Sequence, residues 1–301
     1  MITINDIKKF KPKFEFLIGI DSDGTVFDSM NIKHSHCFID PLISIYKLKK
    51  VSLQSEQMWK EINLYSINRG INRFEALIIF FEKLKLLNFE AISDYSYPNL
   101  KPIKYLRDLN IPLTDKNLKK LKKKIDKDEY LDINKAISWS LAVNEKVENL
   151  AKHIPLISGA SQTINYLSKH ADIIVVSNTP FTALYKDWSN YNIKDVASMI
   201  CSQETGSKID IMEAATKEKY DKSKVLMIGD SPSDYYAARK NDISFFPIIP
   251  GKEDISWRFL QSKALSSFFS FEYKNNYEKK KIIEFESAIN AKLNNNILKF
   301  Q

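Results

Sequence analysis

The stretch FLIGIDSDGTV, from Phe16 to Val26, decides the fold that the rest of the chain builds. Its first five residues, Phe16 to Ile20, are apolar or small and run into acidic and turn-forming residues, which is typical of a buried parallel strand. Open parallel sheets bind ligands beyond the carboxyl ends of their strands, where Asp21 and Asp23 would lie. The stretch therefore predicts both a parallel sheet and a candidate site.

Asp21 and Asp23 are separated by a single residue. On an extended chain they point to opposite sides, so we expect separate roles, one carboxylate as a nucleophile and the other as an acid and base. Gly24 lets the chain leave the strand and bend back over the site. A DxDG sequence after a strand can also be only a turn, because Asp, Gly and Thr are common turn formers. Taken alone, the stretch leaves both interpretations open.

The composition is that of a globular protein. The chain has 301 residues, of which 44% are apolar and 27% charged, enough for one large domain or two smaller ones. We find no leader-like N-terminal segment and no run of about 18 apolar residues, so we expect neither secretion nor membrane insertion. Cys37 and Cys201 are too few and too far apart for a disulfide framework or a zinc site, and they fit a reducing cytoplasm.

The net charge of +8 and the isoelectric point of about 9.1 are compatible with a nucleic-acid partner or with an anionic substrate. No RNA-binding signature of interleaved aromatic and basic residues accompanies the charge. We therefore interpret the charge as a lysine-rich surface and predict that the protein has no nucleic-acid partner.

The middle of the chain has helical periodicity and no strand-like run. The predicted helices are Asn31–Leu48, Leu53–Asn68, Asn72–Leu87, Pro102–Leu109, Thr114–Ile125 and Ile133–His153. This pattern predicts a helical domain, residues 30–153, inserted into an α/β domain that consists of residues 1–29 and 154–301.

Alternation of strands and helices resumes after the insert. Further strands are predicted at Asp172–Val176, Met199–Ser202, Val225–Ile228 and Phe245–Ile249. Five strands separated by helices predict a doubly wound parallel sheet. Near the end of the chain, Phe285, Ile289 and Leu293 have four-residue spacing, which predicts a C-terminal helix packed either on the core or on a second subunit.

Polar residues follow several of the predicted strands. Ser177 follows the second strand, Asp230 and Asp234 follow the fourth, and Lys208 adds a positive charge. Phosphoryl transfer needs a nucleophile, positive charge around the phosphoryl oxygens and a metal ion, and carboxylates at converging strand ends suit Mg²⁺. Each residue also has a structural alternative, since Ser177 and Asp230 can cap helices and Lys208 can lie on the surface.

With these stretches in order, the sequence resembles the haloacid dehalogenase superfamily of phosphohydrolases over Lys13–Asp28 and Ile154–Pro250. The stretches that resemble its four motifs are DSDGTVFD at Asp21–Asp28, VVSNT at Val175–Thr179, Lys208, and GDSPSD at Gly229–Asp234. The resemblance implies that Asp21 is the nucleophile and Asp23 the general acid and base. It also implies that phosphate is bound by Ser177, Asn178 and Lys208. The implied Mg²⁺ site is formed by Asp21, the backbone carbonyl of Asp23, Asp230 and Asp234. Of these, Asp234 would lie in the metal shell or just behind it.

The helical insert looks like the cap of phosphoglycolate phosphatase-like and β-phosphoglucomutase-like members, which closes over the site and selects the leaving group. The insert is longer than the usual cap of this type, so the resemblance does not specify a substrate. Arg69 and Arg73, in the sequence RGINR between two predicted helices, are candidates to bind an anionic group of the substrate.

The resemblance implies a Mg²⁺-dependent phosphatase acting on a small phosphorylated metabolite. Two alternatives stay open at this point. One is a phosphosugar mutase on the same core, and the other is a non-catalytic binding or regulatory protein with this fold. A monomer and a homodimer are equally compatible with the sequence.

Overall fold

A computed structural model describes residues 1–87, 89, 92–121, 126–150 and 154–293 of the chain. The chain forms two compact units, one of Met1–Met30 with His153–Gln301 and the other of Asn31–Lys152. The first unit contains a β-sheet with surrounding helices, and the described part of the second unit is helical. A function of the second unit as a cap stays a prediction.

The first unit is built on five parallel strands, which confirms the predicted doubly wound sheet. The strands are β1 Leu17–Ile20, β2 Asp172–Val176, β3 Met199–Cys201, β4 Val225–Gly229 and β5 Ser244–Pro247. Their order across the sheet is β3-β2-β1-β4-β5, so β1 is central. Every residue of these strands is buried, as expected for a parallel sheet covered by helices on both faces.

The register brings the ends of the three central strands together. Ile20 of β1 pairs with Val175 of β2 on one side and with Ile228 of β4 on the other. The residues that follow these strands therefore lie along one edge of the sheet. The helices of the first unit are α1 Ile4–Lys9, α9 Ala160–Leu167, α10 Phe181–Asn190, α11 Lys208–Thr216, α12 Pro232–Lys240, α13 Glu253–Phe259, α14 Leu265–Phe269 and α15 Lys279–Ala288.

The helical insert packs around an aromatic core that includes the fully buried indoles of Trp59 and Trp139. Its helices are α2 Met30–Lys33, α3 Ile39–Ile45, α4 Ser52–Leu64, α5 Arg73–Leu87, α6 Lys101–Asp108, α7 Asp115–Leu121 and α8 Lys127–Leu150, with a π-helical turn at His34–Phe38 between α2 and α3. Helix α8 begins at Lys127, six residues before its predicted start at Ile133. The predicted helix ends at Ile125 and His153 lie outside the described residues. No described helix is both long enough and apolar enough to cross a lipid bilayer.

The prediction that the C-terminal helix continues to Leu293 is wrong. Helix α15 ends at Ala288, and Asn290 adopts a left-handed conformation with φ of +49°. The apolar residues Phe285, Ile289 and Leu293 are nevertheless all buried. The Phe285 ring packs edge-on against Phe245 of β5, with ring centroids 6.0 Å apart. Of the two surfaces considered from the sequence, this segment packs on the core of its own chain.

Side chains of the C-terminal segment also cover the edge strand β5. The Phe245 backbone N–H donates to Glu278 Oε1 at 2.7 Å, and the Tyr273 hydroxyl donates to the Phe245 carbonyl at 2.8 Å. Glu278 is buried and pairs with Arg239 at 3.1 Å. Open strand edges tend to pair with other chains, so these side chains take the place that a sixth strand would occupy at Phe245.

We expect Glu278→Ala to lower the free energy of unfolding by roughly 1–3 kcal/mol, because the buried Phe245 N–H then has no acceptor from this side chain. Urea unfolding followed by circular dichroism measures the change. The matched control is Glu284→Ala on the same helical segment, where the Glu284 side chain is 52% exposed and a change within about 0.5 kcal/mol is expected. Equal losses in the two variants would contradict this role of Glu278.

Candidate active site

Asp21 lies directly after β1, at the centre of the sheet edge. Its backbone N–H donates to the Ile228 carbonyl at 2.9 Å, which continues the ladder between β1 and β4. The side chain is buried, and its Oδ1 lies 2.8 Å from Nζ of Lys208, the first residue of α11. The structure therefore brings together the two residues that the sequence separates by most of the chain.

Three buried carboxylates converge around this point. Asp21, Asp230 and Asp234 each offer an oxygen, and the three oxygens lie within 4.8 Å of one another. The Lys208 ammonium lies between two of them, 2.8 Å from Asp21 Oδ1 and 2.7 Å from Asp234 Oδ1. Burial, with the charges of Asp234 and Asp230, raises the pKa of Asp21 well above its ordinary value. Burial alone would lower the pKa of Lys208, but the charges of Asp21 and Asp234 hold it above its ordinary value.

Both oxygens of Asp234 already accept hydrogen bonds. Oδ1 accepts from Lys208 Nζ at 2.7 Å, and Oδ2 accepts from the backbone N–H and the hydroxyl of Ser231 at 3.0 and 2.7 Å. The Ser231 contacts form a capping box at the start of α12. Gly229 makes room for this carboxylate, since a Cβ there would lie 2.2 Å from Asp234 Cγ. Asp234 therefore caps the start of α12 and also orients Lys208.

Asp230 is held by the loop that follows β1. The Thr25 hydroxyl donates to Asp230 Oδ1 at 3.1 Å. Gly24 has a left-handed φ of +76°, and a Cβ at this position would lie 2.1 Å from Asp230 Oδ2. A larger residue would be strained and would also collide with the carboxylate. The glycine of the DSDGT sequence is thus required by this close approach.

Asp23 has different surroundings from Asp21. Its Oδ1 accepts from the Ser29 hydroxyl at 2.5 Å, and its Oδ2 accepts from the Thr179 hydroxyl at 2.7 Å. The side chain is partly exposed, and it is not among the three carboxylates that share the cluster. Asp23 therefore has different surroundings from Asp21, and the separate roles that their spacing predicts stay a prediction.

The contact of Thr179 with Asp23 is not predicted from the sequence, where a hydroxyl just before Pro180 would suit the N-cap of the next helix. Helix α10 begins at Phe181 with Pro180 in the cap position, and the Thr179 hydroxyl is directed to Asp23. The contact with Ser29 was also missed. Hydroxyl residues shortly after two neighbouring strands are a weak signal for such contacts, because the same residues commonly cap helices.

Ser177 lies at the same edge of the sheet, after β2. It is buried, its backbone N–H donates to the Cys201 carbonyl at 3.0 Å, and its hydroxyl oxygen accepts from the Thr179 N–H at 3.2 Å. Asn178 is exposed. The binding of phosphate by Ser177, Asn178 and Lys208 stays a prediction, which the position of Ser177 after β2 supports.

The two candidate cap arginines are tied into the helical unit. Arg69 is buried, and its Nη1 donates to the Leu64 carbonyl at 2.9 Å. Arg73 Nη1 donates to Asn144 Oδ1 at 2.6 Å and to the Ser140 hydroxyl at 3.1 Å. These contacts give both residues a structural role within their unit, and their assignment to substrate binding stays a prediction.

Solved structures with a similar fold include several hydrolases. A haloacid dehalogenase-like hydrolase from Bacteroides fragilis is 15% identical over 81% of this chain and 93% of that chain, with a TM-score of 0.49. A predicted phosphoglycolate phosphatase from Haemophilus somnus is 15% identical over 78% and 84%, with a TM-score of 0.43. The HAD-hydrolase YfnB from Bacillus subtilis, bound to magnesium, is 16% identical over 77% and 86%, with a TM-score of 0.41.

No curated protein matches the chain significantly by sequence. Residues 74–248 match the family model for haloacid dehalogenase-like hydrolases, which is more than half of the chain. The matched region includes β2 to β5, with Ser177, Lys208 and Asp230, and begins after the DSDGT stretch. The chain therefore belongs to the family of haloacid dehalogenase-like hydrolases.

Proposed function

We propose that the protein is a Mg²⁺-dependent phosphatase that hydrolyses a small phosphorylated metabolite through an aspartyl phosphate at Asp21. The observation that carries this proposal is the different environment of two carboxylates one residue apart. Asp21 is buried beside the ammonium of Lys208, whereas Asp23 is partly exposed and held by two hydroxyls. A nucleophile and an acid–base group need such different surroundings.

The carboxylate cluster fits a divalent cation. Its donors are all carboxylate oxygens, which Mg²⁺ prefers, and they lie within 4.8 Å of one another. Asp21 and Asp230 would hold Mg²⁺, while Asp234 would lie behind them because both its oxygens are engaged by Lys208 and Ser231. When bound, the ion supplies positive charge that offsets the repulsion between Asp21 and an anionic phosphate ester.

In the first step of the proposed reaction, a carboxylate oxygen of Asp21 attacks phosphorus and the bond from phosphorus to the leaving oxygen breaks. Asp23 donates its proton to that oxygen, so the leaving group departs as an alcohol. The Lys208 ammonium, 2.8 Å from Asp21 Oδ1, and the Ser177 hydroxyl would stabilise charge on the phosphoryl oxygens.

In the second step, Asp23 removes a proton from a water molecule, which attacks the phosphorus of the aspartyl phosphate. Inorganic phosphate is released, and the Asp21 carboxylate and the protonated Asp23 are restored. The hydrogen bonds from Ser29 and Thr179 would keep the Asp23 carboxyl in one orientation through both steps. A cytoplasmic location and substrate selection by the helical unit are part of the same proposal.

The experiment that tests the activity is a panel of phosphorylated metabolites and one aryl phosphate, assayed with Mg²⁺ for release of inorganic phosphate. Release from at least one ester supports the phosphatase. Conversion of a hexose phosphate to its isomer without phosphate release would instead indicate the mutase. Absence of both reactions over the whole panel would favour a binding or regulatory protein.

The raised pKa of Asp21 predicts how Mg²⁺ and pH act together on stability. Above the ordinary carboxyl pKa of 3.8, the metal-free folded state holds a proton on this buried group that the unfolded chain has lost, so stability falls as pH rises towards the raised pKa. Mg²⁺ replaces that proton. We therefore expect Mg²⁺ to raise Tm more at about pH 8 than at about pH 5.

Differential scanning fluorimetry with Mg²⁺ or with a chelator measures this effect. Asp21→Asn is the control, because the amide does not ionise and the pH dependence of the Mg²⁺ effect should decrease. A rise in Tm that is the same at both pH values would contradict the assignment of Asp21 to the metal site.

A further inference from the structure

We propose that the C-terminal segment holds the loop that follows β1, residues 21–25, in position beside the carboxylate cluster, with Trp257 of α13 as the positioning residue. This inference rests on the proposed function in one respect, namely that the carboxylate cluster binds Mg²⁺. Trp257 lies beyond residues 74–248, the region that matches the family model. The inference therefore gives a function to a segment that the family resemblance does not explain.

The contact between Trp257 and the loop is a single buried hydrogen bond. The Trp257 Nε1–H donates to the Thr25 carbonyl at 2.7 Å, across 232 positions of sequence. Both residues are fully buried. Removing the donor to a buried carbonyl lowers the free energy of unfolding by more than the hydrogen bond itself contributes, because water cannot replace the donor. The indole is therefore a fixed constraint on the backbone at Thr25.

Thr25 transmits this constraint to a proposed metal ligand. Its carbonyl accepts from Trp257, and its hydroxyl donates to Asp230 Oδ1 at 3.1 Å. The adjacent Gly24 lies so close to Asp230 that a Cβ would approach Oδ2 within 2.1 Å. A displacement of this loop would consequently change the position or the hydrogen bonding of the Asp230 carboxylate.

Helix α13 is itself firmly attached to the sheet domain. The Ile249 backbone N–H, two residues after β5, donates to the Ser256 hydroxyl at 3.0 Å. Trp257 also packs against Gly159, where a Cβ would lie 3.2 Å from Trp257 Cβ. These contacts hold the backbone of α13 in place at Ser256 and Trp257. Substituting residues that orient metal ligands without binding the metal themselves commonly lowers metal affinity about tenfold or more.

The test is a Mg²⁺ titration of the full-length protein followed by thermal unfolding, which does not depend on turnover. We expect Trp257→Phe, which keeps an aromatic ring but removes the N–H, to raise the Mg²⁺ concentration for half-maximal stabilisation about tenfold. Substitution of Trp257 by benzothienylalanine, in which sulfur replaces the N–H, should give the same shift with less disturbance of packing.

Tyr273→Phe is the matched control. It removes a buried hydroxyl from the same C-terminal segment, but that hydroxyl donates to Phe245 of β5 and not to the loop. We expect an unchanged Mg²⁺ dependence in this variant. In a double-mutant cycle with Thr25→Val, the effect of Trp257→Phe should be less than additive, because both changes act through Thr25.

An unchanged Mg²⁺ dependence in both Trp257 variants, or an equal shift in Tyr273→Phe, would overturn the inference while leaving the proposed function intact. If the wild-type protein binds Mg²⁺ but hydrolyses no phosphate ester, the proposed function fails, and a shift in the Trp257 variants still supports the positioning role. A shift in the Trp257 variants alone supports the inference directly.

Discussion

Asp21→Asn is expected to lower kcat/KM for hydrolysis of an aryl phosphate on the order of 10⁵-fold, the loss typical of removing a nucleophile. The amide has the shape of the carboxylate but is a very poor nucleophile. The fold should be retained, because the substitution removes one of three carboxylates that crowd a buried site. Phosphate release with saturating Mg²⁺ measures the loss, and circular dichroism verifies the fold.

A matched control for this variant is Asp230→Asn, which changes another carboxylate of the same cluster without removing the proposed nucleophile. Its activity should fall too, but higher Mg²⁺ concentrations should recover part of it, whereas Asp21→Asn should not respond. Near wild-type turnover in Asp21→Asn would exclude the covalent mechanism.

Lys208→Met is expected to give the largest loss of stability. The ammonium is 6% exposed and lies 2.8 Å from Asp21 and 2.7 Å from Asp234, so its removal leaves buried carboxylates without their cation. Breaking a buried ion pair from one side typically costs about 3–5 kcal/mol. Chemical denaturation of the metal-free protein at neutral pH measures the change in the free energy of unfolding.

The double variant Lys208→Met, Asp234→Asn provides the control for this effect. Removing one of the two carboxylates that face Lys208 should recover part of the lost stability, since one fewer buried charge then lacks a partner. Addition of Mg²⁺ should also recover part of it. A loss below about 1 kcal/mol in the single variant would show that the ammonium is not the main compensating charge.

The sequence predicts the sheet and much of the candidate site because both depend on local signals. Short apolar runs that end in acids or hydroxyls mark β1, β2 and β4, and parallel strands bring such ends to one edge. Asp21 and Asp230 could therefore be selected in advance, whereas Lys208 follows none of these strands and was selected through the family resemblance. The structure places Asp21 beside Lys208 and within the carboxylate cluster with Asp230.

Other parts of the site depend on contacts that no local pattern indicates. The hydrogen bond from Trp257 to Thr25 joins distant parts of the chain, and an indole in an apolar segment looks like any core residue. The Thr179 hydroxyl was ambiguous between a helix cap and a side-chain contact. The four-residue spacing of Phe285, Ile289 and Leu293 likewise predicts burial correctly but cannot distinguish a helix from a left-handed stop at Asn290.

The helical insert is the part that the sequence describes least well in function. Its apolar periodicity predicts helices, and the aromatic core around Trp59 and Trp139 accounts for many of the large residues in it. Arg69 and Arg73 illustrate the difficulty, because the same arginines that suit an anionic substrate also bond carbonyls and amides of their own unit. Residue type alone does not separate these functions.

The central claim is that Asp21 becomes phosphorylated, and chemical trapping tests it most directly. The Asp23→Asn variant should form the aspartyl phosphate from an aryl phosphate, whose leaving group needs little protonation, but should hydrolyse it slowly because it lacks the base for water. After acid quench, borohydride reduces an acyl phosphate to an alcohol. Peptide mass spectrometry should then find homoserine at position 21 and unmodified aspartate in the Asp230 peptide.

The same treatment without substrate, or with the Asp21→Asn, Asp23→Asn double variant, should give no homoserine. Reduction at any other carboxylate would contradict the assignment of the nucleophile. The covalent mechanism itself would be contradicted by a different result. In that case the wild-type protein releases phosphate and the Asp23→Asn variant consumes the aryl phosphate, but no reduced residue is found in the variant.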